Sequence, residues 1–169
     1  MCALVATVVV PVAHAQAADA ATGVYVVTFR TSAHVRTSSG EVFHNAAADT
    51  RRLLAECGVT IVADPERGFI ENESRMSVAS MTRLAREAGA TSLLLVIVDR
   101  PFTEWIKITL QAYDLDGTLL WEDKAGSGMG GVTGSHGYRK CFEKLEKIIG
   151  ERAGGPGLPA GHRRGSSGE

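Results

Sequence analysis

The chain reads as a single α/β domain, a mixed five-stranded sheet with helices packed on its faces. Three observations lead there. Two apolar runs, "GVYVVTF" (Gly23 to Phe29) and "TSLLLVIVD" (Thr91 to Asp99), are too continuous to leave one face in water, as in strands covered on both sides. Segments with apolar residues three and four apart lie between the strands and after them, which is the helical period. The stretch "TEWIKITLQAY" alternates, and an Asp-Gly pair joins it to "TLLWEDKA", the pattern of a hairpin.

Taken in order, Gly23 to Phe29 is the first strand. A polar stretch follows, and Ser38-Ser39-Gly40-Glu41 opens a helix as a capping box. Phe43, Ala46, Ala47, Thr50, Leu53, Leu54 and Cys57 form its apolar stripe, and Gly58 stops it. "VTIVAD" is a short second strand and "PERGFIENES" a loop. A second helix starts near Ser77, with Val78, Met81, Leu84, Ala85 and Ala88 on one face. The buried strand to Asp99 comes next and Pro101 breaks it; the hairpin follows, then a glycine loop, then a helix from about His136 to Gly150. The element order is β-α-β-α-β-β-β-α. Helical crossovers make the first three strands parallel with right-handed connections, and the short later links add two antiparallel strands.

The 169 residues suit one domain, with 44% apolar residues, 22% charged residues and a net charge of −1. No basic stripe marks a nucleic-acid footprint, and no apolar run is long enough to span a bilayer. Residues 1–15 read as a signal peptide, because an uncharged apolar run ends in Ala13-His14-Ala15, an A-x-A cleavage pattern. On this reading the basic n-region lies upstream; the competing reading is an Ala-rich terminus or a buried strand. Residues 23–150 then form the α/β domain, and 151–169 a flexible, disordered tail rich in Gly and Ser. Export makes the protein periplasmic or secreted. There Cys57 and Cys141 can pair as a disulfide, or stay two buried thiols on their helix stripes.

Candidate chemistry is sparse. In Asp114-Leu115-Asp116-Gly117 a calcium loop with Gly117 at position 6 would put Ala112 at position 1 and Asp123 at position 12. The first ligand is missing, so the stretch reads as a two-residue type I′ turn. Gly126-Ser-Gly128-Met-Gly130-Gly131 matches G-x-G-x-x-G but follows a hairpin arm rather than a parallel strand, which reads as a linker. His34, His44, His136 and the cysteines lack metal-ligand spacing. No catalytic set, metal site or cofactor is expected.

Three stretches resemble the N-terminal domain of TolB and the CsgG and LpoB type of envelope α/β domain. They are "FIENESRMSVASMTRLAREAGATSLLLVIVD", "ITLQAYDLDGTLLWEDKA" and "GYRKCFEKLEKII". The resemblance covers roughly residues 69 to 149. It implies a periplasmic, non-enzymatic module that docks onto other envelope proteins.

Two surfaces follow as candidates. Pairing across Asp116-Gly117 sets Ala112 opposite Trp121 and Tyr113 opposite Leu120. Trp121 then points inward with Ile108, Leu110 and Leu119. Trp105, Tyr113, Leu115 and Leu120 share the outer face with Lys107, Gln111, Glu122 and Lys124, as aromatic anchors inside a charged rim. Trp105, Lys107, Tyr113 and Leu120 would contact an envelope partner, unless the last helix folds over this face and makes it core. The second surface is a crevice at the carboxyl ends of the parallel strands, where strand order reverses. Arg30, His34, Arg36 and Arg100 would bind a small anion or nucleotide there, or be solvated loop residues.

Overall fold

The structure, a computed structural model, describes residues 23–30, 39–62, 70–72, 76–102, 105–126 and 135–160. Strand β1 (Val24–Arg30) is followed by helix α1 (Ser39–Glu56), β2 (Ile61–Val62), β3 (Ile70–Asn72) and α2 (Val78–Glu87). Then come β4 (Ser92–Phe102), β5 (Trp105–Tyr113), β6 (Leu119–Gly126) and α3 (Ser135–Arg152). The sheet runs β2-β1-β4-β5-β6. β1 and β4 are parallel from Val24 opposite Ser92 to Arg30 opposite Val98, and the β4–β5 and β5–β6 pairs are antiparallel. This is the mixed α/β sheet that the sequence predicts.

One strand is added. β3 falls in the stretch read as a loop, and it pairs with β1 at Val27 to Phe29, beyond the point where β2 pairs with Val24 and Tyr25. β2 and β3 are thus two pieces of one edge position, so the sheet keeps five positions. Pro101 does not end β4 either. The ladder shifts register between Asp99 and Phe102, and Phe102 still pairs with Trp105; an irregularity of this kind is where a strand accommodates a residue that cannot donate.

The two-residue period divides the core. Val24, Val26, Leu94, Val96, Ile108, Leu110, Ala112, Trp121 and Ala125 face α1 and α3, where Ala46, Leu53, Leu54, Cys141, Leu145 and Ile149 are buried against them. Tyr25, Val27, Phe29, Leu93 and Leu95 face α2, whose Met81 and Ala85 close over them. Strands sandwiched this way have no wet side, which is why their sequences are apolar throughout. Ser77 caps α2 by accepting a hydrogen bond from Ser80 N at 3.2 Å.

The expected flexible tail begins too early at residue 151. α3 continues to Arg152, and residues 153–160 turn back across the sheet. Leu158 is fully buried in the α1/α3 core. Ser92 Oγ donates to Gly157 O at 2.9 Å, and Val59 bridges to Ala160. The glycines of this segment suggested a flexible tail, but here they serve a tight path. Gly157 has φ +81°, and a Cβ on it would lie 2.8 Å from Ala112 Cβ, so only glycine fits. Residues 161–169 lie outside the described residues, as does the 1–15 segment.

Candidate docking surface on the hairpin

The β5–β6 hairpin is built around Asp114. Its Oδ1 accepts from the backbone N of Asp116 (3.0 Å) and of Thr118 (2.8 Å), while Gly117 N donates to Asp114 O at 3.2 Å. These bonds, that to Thr118 first, hold the Asp114 carboxyl below the usual carboxylate range. Gly117 has φ +87°, and no non-glycine residue among those described has positive φ. Asp116 therefore rules out the expected type I′ turn, which needs two such residues. The loop is the longer form, a β-turn followed by a left-handed glycine and locked by the aspartate side chain. The Asp114 carboxylate thus serves the loop, accepting two backbone amides on Oδ1. Among the described residues no group of three His, Cys, Asp or Glu side chains could hold a metal ion.

The ladder also departs from the expected register. Ala112 does pair with Trp121, but Tyr113 pairs with Leu119 rather than Leu120. Leu120 is thus the extra residue of a β-bulge, and a bulge re-aims the side chains around it. Leu119, expected inside with Trp121, is 47% exposed, and Leu120 is 39% exposed. Leu120 does not share the Tyr113 face: its Cδ1 lies 3.2 Å from where a Gly157 Cβ would stand, beside Trp121 Nε1. Trp121 is inward as expected.

On the outer face the residues after the bulge form a polar chain. Tyr113 Oη donates to Gln111 Oε1 (3.1 Å), Gln111 Nε2 donates to Glu122 Oε2 (2.6 Å), and Glu122 pairs with Lys124. The bonds from Lys124 and then Gln111 lower the Glu122 carboxyl pKa, so it is charged at neutral pH. Partial burial, with the Glu122 charge second, raises that of the Tyr113 phenol. Lys107 is exposed on the same face. α3 does not cover this side, because it packs on the opposite one; it is α2 that reaches Tyr113 and Leu115 and half-buries them. Trp105 opens β5 opposite Phe102, and its side chain lies outside the described residues.

The other candidates are placed as follows. Arg30 ends β1 opposite Val98, and Arg100 lies within β4. Their side chains, with the whole of His34 and Arg36, lie outside the described residues, as do residues 127–134 of the glycine loop. Cys57 and Cys141 are free thiols, so the disulfide alternative is not the one adopted. Burial pushes the Cys141 thiol up to about 11, the reverse of what a nucleophile needs. No described helix is long and apolar enough to cross a membrane. Composition and period revealed neither the bulge nor the strap formed by residues 153–160; the sole hint of the strap was a leucine, Leu158, amid Gly and Pro.

No family model matches the sequence, and no curated protein matches it. Solved structures do. A point variant of the PelC dodecamer from Paraburkholderia phytofirmans is similar at 15% identity and TM-score 0.47, over 77% of this chain and 89% of that one. The C-terminal domain of LpoB from Escherichia coli is similar at 18% identity and TM-score 0.46, over 64% and 84%. A hypothetical protein from Chlamydia trachomatis is similar at 11% identity and TM-score 0.40, over 78% and 95%. LpoB is thus one of the proteins named for the resemblance that reappears among the solved structures. These likenesses concern the α/β arrangement, and no residue's role is carried over from them.

Proposed function

We propose that the chain is a non-catalytic module of the bacterial envelope that docks onto another protein through the β5–β6 hairpin. One observation carries this reading: Leu119 and Leu120, the two exposed large hydrophobic residues among those described, stand side by side where β6 begins. Exposed charged residues, Asp116, Glu122 and Lys124, flank them along the hairpin. An apolar centre within a polar rim is the anatomy of a docking patch. The bulge that moves Leu119 from the expected inner face to solvent, beside the exposed Leu120, supports the reading, since bulges recur where a strand edge is shaped for a purpose. The export pattern of residues 1–15 supports an envelope location.

A photo-activatable residue in place of Leu119, in protein expressed in its native host, tests this. We expect one discrete cross-linked product that Leu120→Asp removes, while the melting temperature stays near that of the unaltered chain. Loss of the hairpin reading would follow from a cross-linking pattern equal to that of a control position on α1 such as Arg52, which is exposed on the opposite side of the sheet.

A further inference from the structure

We infer that β6 is a pairing edge for a second copy of this chain, which adds antiparallel about a two-fold axis through Asp123. The inference rests on the hairpin being the contact surface and names its occupant. β6 ends the sheet, with β5 as its one neighbouring strand among the described residues. Its outer amide and carbonyl groups therefore face away from the ladder, a ready template for another strand. From Trp121 to Gly126 the pairing with β5 is regular, with no shift after the bulge, and no proline interrupts it. Lys144 Nζ donates to Gly126 O at 3.1 Å, which confines the available stretch to Trp121–Ala125.

That stretch is complementary to itself in one register. An axis through Asp123 sets Glu122 opposite Lys124 of the second copy, and Trp121 opposite Ala125. A two-fold makes each pair occur twice. Glu122 and Lys124 are on the outer face, exposed and oppositely charged; Trp121 and Ala125 are on the inner face, large against small. Leu120 falls opposite Gly126, where no side chain stands. Registers that keep the helical layers on the same side differ by whole two-residue steps. Centring on Glu122 brings Asp123 against Trp121, and centring on Lys124 brings Asp123 against Ala125. Neither pairs opposite charges. The Asp123-centred register brings each Asp123 to its own copy, and the fold already neutralises that contact. Arg152 Nη2 and Nε bind Asp123 Oδ2 at 2.8 and 2.9 Å, and the same guanidinium lies 5.2 Å from the centre of the Trp121 ring. Charged edge strands commonly repel their neighbours. Here the order of the charges makes them attract.

Sedimentation equilibrium of the purified chain tests the inference. The unaltered chain should show a concentration-dependent dimer. Glu122→Lys puts lysine against lysine across the axis, and Lys124→Glu puts glutamate against glutamate. Each should weaken dimerisation at least ~tenfold, since two attractive cross-strand pairs become repulsive. An equimolar mixture of the two variants should dimerise again, because each chain then meets the opposite charge at both positions. That recovery cannot come from the contact between Glu122 and Lys124 within one chain, which both variants lack. A monomer at every concentration up to about 1 mM, the range of weak interfaces, would overturn the inference. So would variants that dimerise like the unaltered chain, or a mixture that stays monomeric. If a variant folds poorly, the concentration dependence of the unaltered chain still decides. A monomer that nonetheless gives the discrete Leu119 cross-link would remove the second copy while leaving the hairpin as the docking surface.

Discussion

The indole N–H of Trp121 donates to the carbonyl of Pro156 at 2.8 Å, tying the second arm of the hairpin to a segment 35 residues further along the chain. With Ser92 and Leu158 this bond makes the strap part of the core. Leu158→Ala should cost ~2–5 kcal/mol, as other buried leucines do. For a chain of this size each kcal/mol is worth about 2–4 °C in melting temperature, so thermal denaturation followed by circular dichroism reads it directly. A loss below 0.5 kcal/mol would show that the strap is detached in solution.

Gly157→Ala and Gly117→Ala should differ although both residues have positive φ. At Gly117 a Cβ meets nothing closer than Val78 Cγ1 at 3.8 Å, so the backbone alone resists, at about 1–2 kcal/mol. At Gly157 the new methyl also lands 2.8 Å from Ala112 Cβ and 3.3 Å from Trp121 Nε1. Overpacking adds ~1–3 kcal/mol and loosens the indole bond. Urea titrations of the two variants, with Trp fluorescence, should therefore rank Gly157→Ala as clearly the worse; equal midpoints would contradict the close packing.

Stability should fall as the pH rises from about 9 towards 11. Burial holds the Cys141 thiol at about 11 against an ordinary value of 9.0. Burial, then the bond to Asp49, raises the Tyr138 phenol as well. Both groups keep their protons in the folded chain after the unfolded chain has lost them. Their contribution is therefore complete below about pH 9 and declines above it. Cys141→Ala should flatten part of this decline in urea midpoints measured against pH. A thiol reagent at pH 8 should label Cys57, which is half-buried, well before Cys141.

Leu119→Ser should leave stability within about 0.5 kcal/mol, as exposed substitutions generally do. Tyr113→Ala should cost more, because Tyr113 packs against the α2 layer and holds Gln111. Paired melting curves separate the two, and equal losses would mean that Leu119 is also covered.

Much of the fold was legible because burial on both sides leaves an unbroken apolar word in the sequence. Val24 to Phe29 and Leu93 to Val96 could be little else. The inward placement of Trp121 opposite Ala112, counted across the Asp116-Gly117 turn, is also observed, although the turn is of another type. Legibility failed where one residue changed the count. A bulge at Leu120 has no signature in residue types, yet it moved Leu119 from core to solvent and separated Leu120 from Tyr113. The turn misled for a similar reason: Asp-Gly names a tight turn, whereas the Asp114 side chain, two residues earlier, selects a longer one. The strap was hidden by its own glycines, whose ordinary meaning is flexibility and whose use here is close approach. β3 is three residues long and borrows its order from β1, so it carries no periodicity to read.

The placement of β1 between its neighbours has a consequence for the route by which the chain finds its fold. Thr118 N reaches Asp114 Oδ1 across four positions, so the hairpin closes locally, on a timescale of ~1–10 μs. Thr91 Oγ1 reaches Gly23 O across 68, and the parallel ladder beside it must wait for that long loop to close. Docking of β1 is then expected to be the slow event, with the strap fastening after the sheet stands. In stopped-flow refolding Val26→Ala should slow folding, whereas Leu158→Ala should mainly quicken unfolding. The reverse pattern would mean that the C-terminal segment is in place before the central strand arrives.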